Sequence, residues 1–76
     1  MIMINEKSEK IRAEFYKERK EPVHIIKKDK EFFNGEIVEV EDSFFIINDK
    51  KEGEQMVLFN ELIRSISKFK DNDKWK

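Results

Sequence analysis

Residues 32–40 read FFNGEIVEV, a β-rich run whose apolar pattern changes half-way along. Apolar or small residues stand at odd positions as far as Ile37, and then at the even positions Val38 and Val40. A regular strand cannot change phase by one residue without turning its apolar side chains to the other face. A bulged or bent strand can, and Gly35 is where the backbone bends most easily. The stretch therefore predicts a strongly bent strand, with a flat strand weakened at Gly35 as the alternative.

The chain on either side of this strand predicts four more strands and one helix. The four strands are short apolar runs separated by polar turns, at residues 23–26, 44–47, 56–59 and 63–69. The helix covers residues 5–20, because Asn5 is a good N-cap and Pro22 prevents the helix from continuing. Its apolar stripe contains Ile4, Ile11 and Phe15, and we expect this stripe to lie across one open end of the strands.

The composition limits the possible classes of protein. The 76 residues form one domain, too small for its core alone to give more than marginal stability. The chain has no cysteine and one histidine, so a disulfide framework is excluded and no metal or other cofactor is predicted. Self-association is then the stabilising device most open to the sequence. The net charge of −1 gives no bulk attraction to nucleic acid or anionic lipid.

These observations predict a mainly β protein in a single domain, residues 1–76. An N-terminal α-helix, about residues 5–20, is followed by a five-stranded, strongly bent antiparallel small barrel over about residues 22–69. A hydrophilic tail, residues 70–76, completes the chain. The apolar runs of the whole chain are too short to cross a bilayer, so we expect no membrane partner and a cytoplasmic location.

Four segments carry a resemblance to a known family. They are FYKERKEPVHI at 15–25, FNGEIVEVE at 33–41, QMV at 55–57 and IRSI at 63–66. In this order and spacing the chain resembles the Sm-like superfamily, and within it the bacterial Hfq proteins most closely. The resemblance covers about residues 11–69, and an unrelated SH3-like barrel could share most of it.

The resemblance implies a ring-forming, non-catalytic protein that binds single-stranded RNA. Sm-like proteins form hexamers or heptamers by pairing the fourth strand of one subunit with the fifth strand of its neighbour. The residues expected at this homo-oligomer interface are Met56, Val57, Leu58, Phe59, Ile63 and Ile66.

The expected RNA-binding residues form two groups. Asp42, Ser43, Asn60 and Arg64 match the region of the pore, while Lys17 and Arg19 form a basic patch at the helix end. Asn60 could read a base edge or be a turn residue, and Arg64 could bind phosphate or pair with Glu61. At several positions where the family contacts RNA, this chain carries other residues, such as Leu58-Phe59-Asn60 in place of Tyr-Lys-His.

Two functions therefore remain open from the sequence. The first is the ring-forming RNA-binding protein, and the second is a barrel used as a protein-interaction or structural module without RNA binding. No catalytic residues are predicted, because the serines have only His24 available to activate them and no carboxylate pair has the pattern of a general acid–base site.

Overall fold

The computed structural model describes residues 5–69, which form one helix and five antiparallel strands. In chain order the elements are α1 (Glu6–Arg19), β1 (Val23–Ile26), β2 (Phe32–Val40), β3 (Phe44–Asp49), β4 (Gly53–Leu58), a 3₁₀ turn (Phe59–Glu61) and β5 (Ser67–Lys68). The mainly β prediction, with an N-terminal helix and five strands, is confirmed. The predicted tail at residues 70–76 and Ile4 of the predicted stripe lie outside the described residues.

The strands form a single sheet in the order β4-β3-β2-β1-β5. Each neighbouring pair is antiparallel, and β4 and β5 form the two edges. These two edge strands do not pair with each other, so the sheet is not closed and the predicted small barrel is not confirmed.

The irregularity predicted for β2 is present near its middle. The register of β2 against β3 shifts between Ile37 and Glu39, which is the signature of a β-bulge. Ile37 is buried and Val38 is exposed, and Val40 then packs against the core. The predicted change of phase therefore occurs, although the sequence pattern had placed Val38 on the inner face.

Gly35 lies two residues before the bulge and close to the backbone of β3. A Cβ atom on Gly35 would overlap the backbone carbonyl oxygen of Asn48. Glycine is required here by close approach rather than by an unusual φ angle.

Helix α1 presents an unexpected face to the sheet. The Asn5 side chain accepts from Ser8 N at 3.1 Å, which confirms Asn5 as the N-cap. The buried residues of the helix are Glu9 and Ala13, whereas Ile11 and Phe15 are exposed. The prediction that Ile11 and Phe15 face the sheet is therefore wrong, because a buried polar contact of Glu9 sets the rotation of the helix.

This contact joins Glu9 to the segment before β5. Glu9 is only 2% exposed; its Oε2 accepts from Ser65 Oγ at 2.6 Å and its Oε1 accepts from Ile66 N at 2.9 Å. The strand predicted at residues 63–69 is consequently interrupted. Leu62 makes an isolated bridge to Lys27, and regular pairing with β1 resumes at Ser67.

The core lies between the inner face of the bent sheet and α1. Its largest fully buried side chains come from β1, β3, β4, the 3₁₀ turn and the segment before β5: Phe45, Phe59, Ile25, Ile47, Leu62, Ile66, Val23 and Val57. Within residues 5–69, no helix is both long enough and apolar enough to cross a membrane.

Candidate functional site

The predicted pore residues are only partly brought together. Phe59 N donates to Ser43 O at 3.0 Å, so the β2–β3 turn lies beside the 3₁₀ turn that carries Asn60. Ser43 and Asn60 are both exposed at this end of the sheet. Arg64 is also exposed, and Glu61, its expected partner, accepts from Leu58 N at 3.1 Å instead.

The end of the sheet that contains Asp42 is acidic. Asp42 forms an ion pair with Lys10 at 2.8 Å, and this hydrogen bond lowers the pKa of Asp42 and raises that of Lys10. The nearby Glu39 carboxyl raises the pKa of Glu41, because hydrogen bonding between the two groups favours a protonated form and two negative charges this close repel each other. Three carboxyl groups around a single lysine oppose the approach of phosphate.

The predicted basic patch at the helix end is partly neutralised. Arg19 Nε pairs with Glu21 Oε2 at 3.1 Å, and its guanidinium lies 5.2 Å from the centre of the Phe15 ring. Lys17 is exposed in the last turn of α1. Exposed ion pairs are weak and screened by salt, so Lys17 and Arg19 keep part of their attraction for phosphate.

The predicted interface residues divide between buried and exposed positions. Val57, Phe59 and Ile66 are fully buried in the core. Met56 is 58% exposed and Ile63 is 48% exposed. Leu58 is half-buried and lies opposite Phe44 on β3.

A groove of about 650 Å³ lies between the β1–β2 turn and the β3–β4 loop, away from the acidic end. The groove combines aromatic rings, side-chain amides and both kinds of charge. The residues that line it are Lys30, Glu31, Phe32, Phe33, Asn34, Asp49, Lys50, Lys51, Glu52, Gln55 and Phe69.

The aromatic rings of this groove differ in exposure. Phe33 and Phe69 are buried at its base, and the Lys50 ammonium lies 4.8 Å from the centre of the Phe69 ring. Phe32 is exposed and contacts the His24 ring, with the ring centres 5.9 Å apart. An exposed aromatic face next to lysines can stack on a nucleobase while the lysines attract its phosphate.

The side-chain amides supply hydrogen-bonding groups beside these rings. His24 Nδ1 donates to Asn34 Oδ1, which fixes the amide of Asn34 next to Phe32. Gln55 Nε2 donates to Glu52 O at 3.2 Å. Amides held next to an exposed ring are suited to reading the edge of a stacked base.

The loop that carries Lys50 and Lys51 is held by Asp49 at the end of β3. The buried Asp49 carboxylate accepts from Asn34 N, Lys51 N and Glu52 N at 2.8–2.9 Å. Burial alone would raise the pKa of Asp49, but these three backbone N–H groups lower it below its ordinary value. The same carboxylate thus fixes the β3–β4 loop against β2.

Replacement of Asp49 by asparagine should lower the free energy of unfolding by about 2 kcal/mol at pH 7, because an amide cannot accept all three N–H bonds. A lowered pKa gives stability that is present above the unfolded pKa, about 4, and is lost as the pH falls through the folded pKa. Urea unfolding from pH 7 to pH 3 should therefore show wild type and variant converging at acid pH. Asp29→Asn, at an exposed turn, is the control; a constant gap at all pH values would contradict this assignment.

Sequence reasoning did not select the groove as a site. Its one available signal is the pair Phe32-Phe33, because adjacent residues of a strand point to opposite faces and one aromatic ring must face outward. The lysines and amides come from segments up to 23 residues away, and the registers of β2 against β3 and of β3 against β4 bring them together.

Within residues 5–69, no three His, Asp or Glu side chains are arranged so that they could hold a metal ion. Comparison of the whole chain with protein-family models and with curated protein sequences gives no match.

Proposed function

We propose that this chain is a Sm-like protein that assembles through its two edge strands into a hexameric or heptameric ring and binds single-stranded RNA without catalysis. The observation that carries this proposal is the sheet order β4-β3-β2-β1-β5. This order leaves β4 and β5 with open edges, on opposite sides of one bent sheet.

Open edges expose unpaired backbone N–H and C=O groups and need a partner or a protecting device. Within residues 5–69, neither outer edge pairs with another strand. Because β4 and β5 are different strands, pairing one with the other joins subunits head to tail, and such contacts form a ring when the rotation closes. The neighbour's strand would then complete each sheet as a small barrel.

The side chains near both edges support the same arrangement. Met56 on β4 and Ile63, next to β1 on the opposite side, are large apolar residues left in water by the single chain. Phe44, Ile46 and Leu58 continue the apolar surface from Met56 across the outer face of β3 and β4. Pairing β4 with β5 would bury these residues between neighbouring subunits.

The groove supports RNA as the ligand. Phe32 supplies an exposed ring, Asn34 and Gln55 supply amides, and Lys50 and Lys51 supply positive charge. These are the groups that single-stranded nucleic acid requires. The residues predicted from the resemblance, namely Asp42, Ser43, Asn60, Arg64, Lys17 and Arg19, remain candidates for further contacts.

Light scattering after size exclusion tests the assembly. We expect a mass of several chains for wild type, and a loss of this assembly when Met56→Lys or Ile63→Lys places a charge beside one edge. Val38→Lys introduces the same side chain at an exposed apolar position on a central strand and should keep the assembly. A monomeric wild type would contradict the ring.

Fluorescence anisotropy with labelled U-rich and A-rich oligonucleotides tests RNA binding. We expect low-micromolar or tighter binding that weakens with salt, and a loss of about tenfold for Phe32→Ala, because one stacked base contributes roughly 1–3 kcal/mol. Val38→Ala, at an exposed position on β2 outside the groove, is the control and should not weaken binding. An intact ring that binds neither oligonucleotide would rule out the RNA function.

The alternative is a protein-interaction or structural module of the same fold. The observation that favours it is the acidic cluster of Glu39, Glu41 and Asp42 at the end where the resemblance implies RNA contact. An assembled ring that binds no RNA at any salt concentration would support this alternative.

A further inference from the structure

The outward face of α1 carries two large apolar side chains. Ile11 is 67% exposed and Phe15 is 52% exposed, whereas the inward face contributes Glu9, Ala13 and part of Tyr16. A shallow hollow of about 370 Å³ runs along this outward stripe, lined by Ser8, Ile11, Arg12, Phe15 and Tyr16. Contiguous apolar residues along one helix face are suited to packing against another apolar surface.

The charges beside this stripe differ from one side to the other. With successive residues turned by about 100° around a helix, Glu14 and Glu18 lie on one flank of the stripe. Arg12 and Arg19 lie on the other flank at matching heights. All four side chains are exposed. The surface is therefore apolar along its centre and basic on the side of Arg12 and Arg19. The other side is acidic at Glu14 and Glu18, with Lys7 on the same side about two turns nearer the N-terminus.

Such a surface is complementary to a copy of itself in one orientation. When two parallel helices are related by a two-fold axis along their length, the acidic flank of each meets the basic flank of the other. Arg12 then faces Glu14 of the second copy, and Arg19 faces Glu18 of the second copy. An antiparallel pair would bring the same flank of each helix together and place Arg12 near Arg12.

We propose that α1 pairs in parallel with α1 of a second copy of this chain, with Ile11 and Phe15 in the seam and the two charged flanks in register. The contact uses no residue of β4 or β5 and does not depend on the ring. The pairing of two α1 helices doubles the mass of the unit that the sheet edges form, whether that unit is a single chain or a closed ring.

The first experiment measures mass by sedimentation velocity. Phe15→Ser should halve the mass of the particle, and so should the reversal Glu14→Arg with Glu18→Arg, which makes both flanks basic. Adding Arg12→Glu and Arg19→Glu to that reversal exchanges the flanks and should restore the wild-type mass. Circular dichroism checks that each variant is folded. The proposal is overturned by a wild-type mass in Phe15→Ser, or by no recovery in the exchanged variant.

The second experiment tests orientation with a thiol. The chain has no cysteine, so Ile11→Cys carries a single reactive group. In a parallel pair residue 11 meets its own copy, at a separation that a disulfide can span, and mild oxidation should give a covalent dimer. Val38→Cys, exposed on β2, is the matched control. Cross-linking no faster at position 11 than at position 38 would exclude the parallel seam.

Discussion

Gly35→Ala should remove a large part of the stability of the fold, because the added methyl group has no space between β2 and β3. The obstacle is the backbone carbonyl of Asn48, which belongs to the neighbouring strand and cannot rotate away as a side-chain end could. Removing this clash requires β2 and β3 to move apart, at a cost of about 3 kcal/mol or more. A domain of this size has a total stability of roughly 4–11 kcal/mol.

The measurement is urea unfolding followed by circular dichroism. Gly53→Ala is the matched control: Gly53 has φ +80°, but nothing lies within 4 Å of the position of an added Cβ. That change should cost only about 1 kcal/mol, because it carries conformational strain without a clash. Equal stability of the two alanine variants would show that the approach of β2 to β3 is not as close as described.

Glu9→Ala should lower the free energy of unfolding by about 3 kcal/mol, because it removes two hydrogen bonds to a buried carboxylate. Ser65 Oγ and Ile66 N would lose their acceptors, and Ile66 N lies in the interior. Thermal unfolding should then begin roughly 15 °C lower in a domain of this size. Amide hydrogen exchange should accelerate first at Ile66, because its acceptor is absent.

Two further variants separate this contact from general effects on the helix. Glu6→Ala removes an exposed carboxylate from the first turn of α1 and should cost less than 1 kcal/mol. Glu9→Gln keeps one acceptor oxygen, so its loss of unfolding free energy should lie between those of Glu6→Ala and Glu9→Ala. If Glu9→Ala were no more harmful than Glu6→Ala, the contact would not hold the helix in place.

The strands were the most predictable part of this fold. The boundaries of β1 and β2 agree with the predicted runs at 23–26 and 32–40, because β-branched and aromatic residues between polar turns give a strong local signal. The irregularity near Ile37 was also visible, since a change in alternation is itself a pattern in the sequence.

The orientation of α1 could not be derived from local pattern. The apolar stripe at Ile11 and Phe15 points away from the sheet, and the inward face is centred on a glutamate. The reason is that the two carboxylate oxygens of Glu9 accept hydrogen bonds from Ser65 and Ile66. These two residues are 56 and 57 positions after Glu9 in the chain. Hydrophobic periodicity contains no information about a partner so distant.

The candidate site was hidden for the same reason. Phe32 is on β2 and Lys50 is in the loop after β3, and the pairing of β2 with β3 in one register brings them to the same groove. The residues chosen from the resemblance came instead from the β2–β3 turn, the 3₁₀ turn and its flank, and the helix end, none of which lines the groove.

The contacts between α1, β1 and the last described segment also bear on how the chain folds. Val23 pairs with Lys68, and Glu9 holds Ile66, so the earliest and latest described elements complete the structure together. Contacts between residues so far apart close large loops and slow the folding of small domains. During synthesis, α1 and four strands leave the ribosome before the segment that contains Leu62 and Ile66, both core residues. We therefore expect the core to be completed only after nearly the whole described chain has been made.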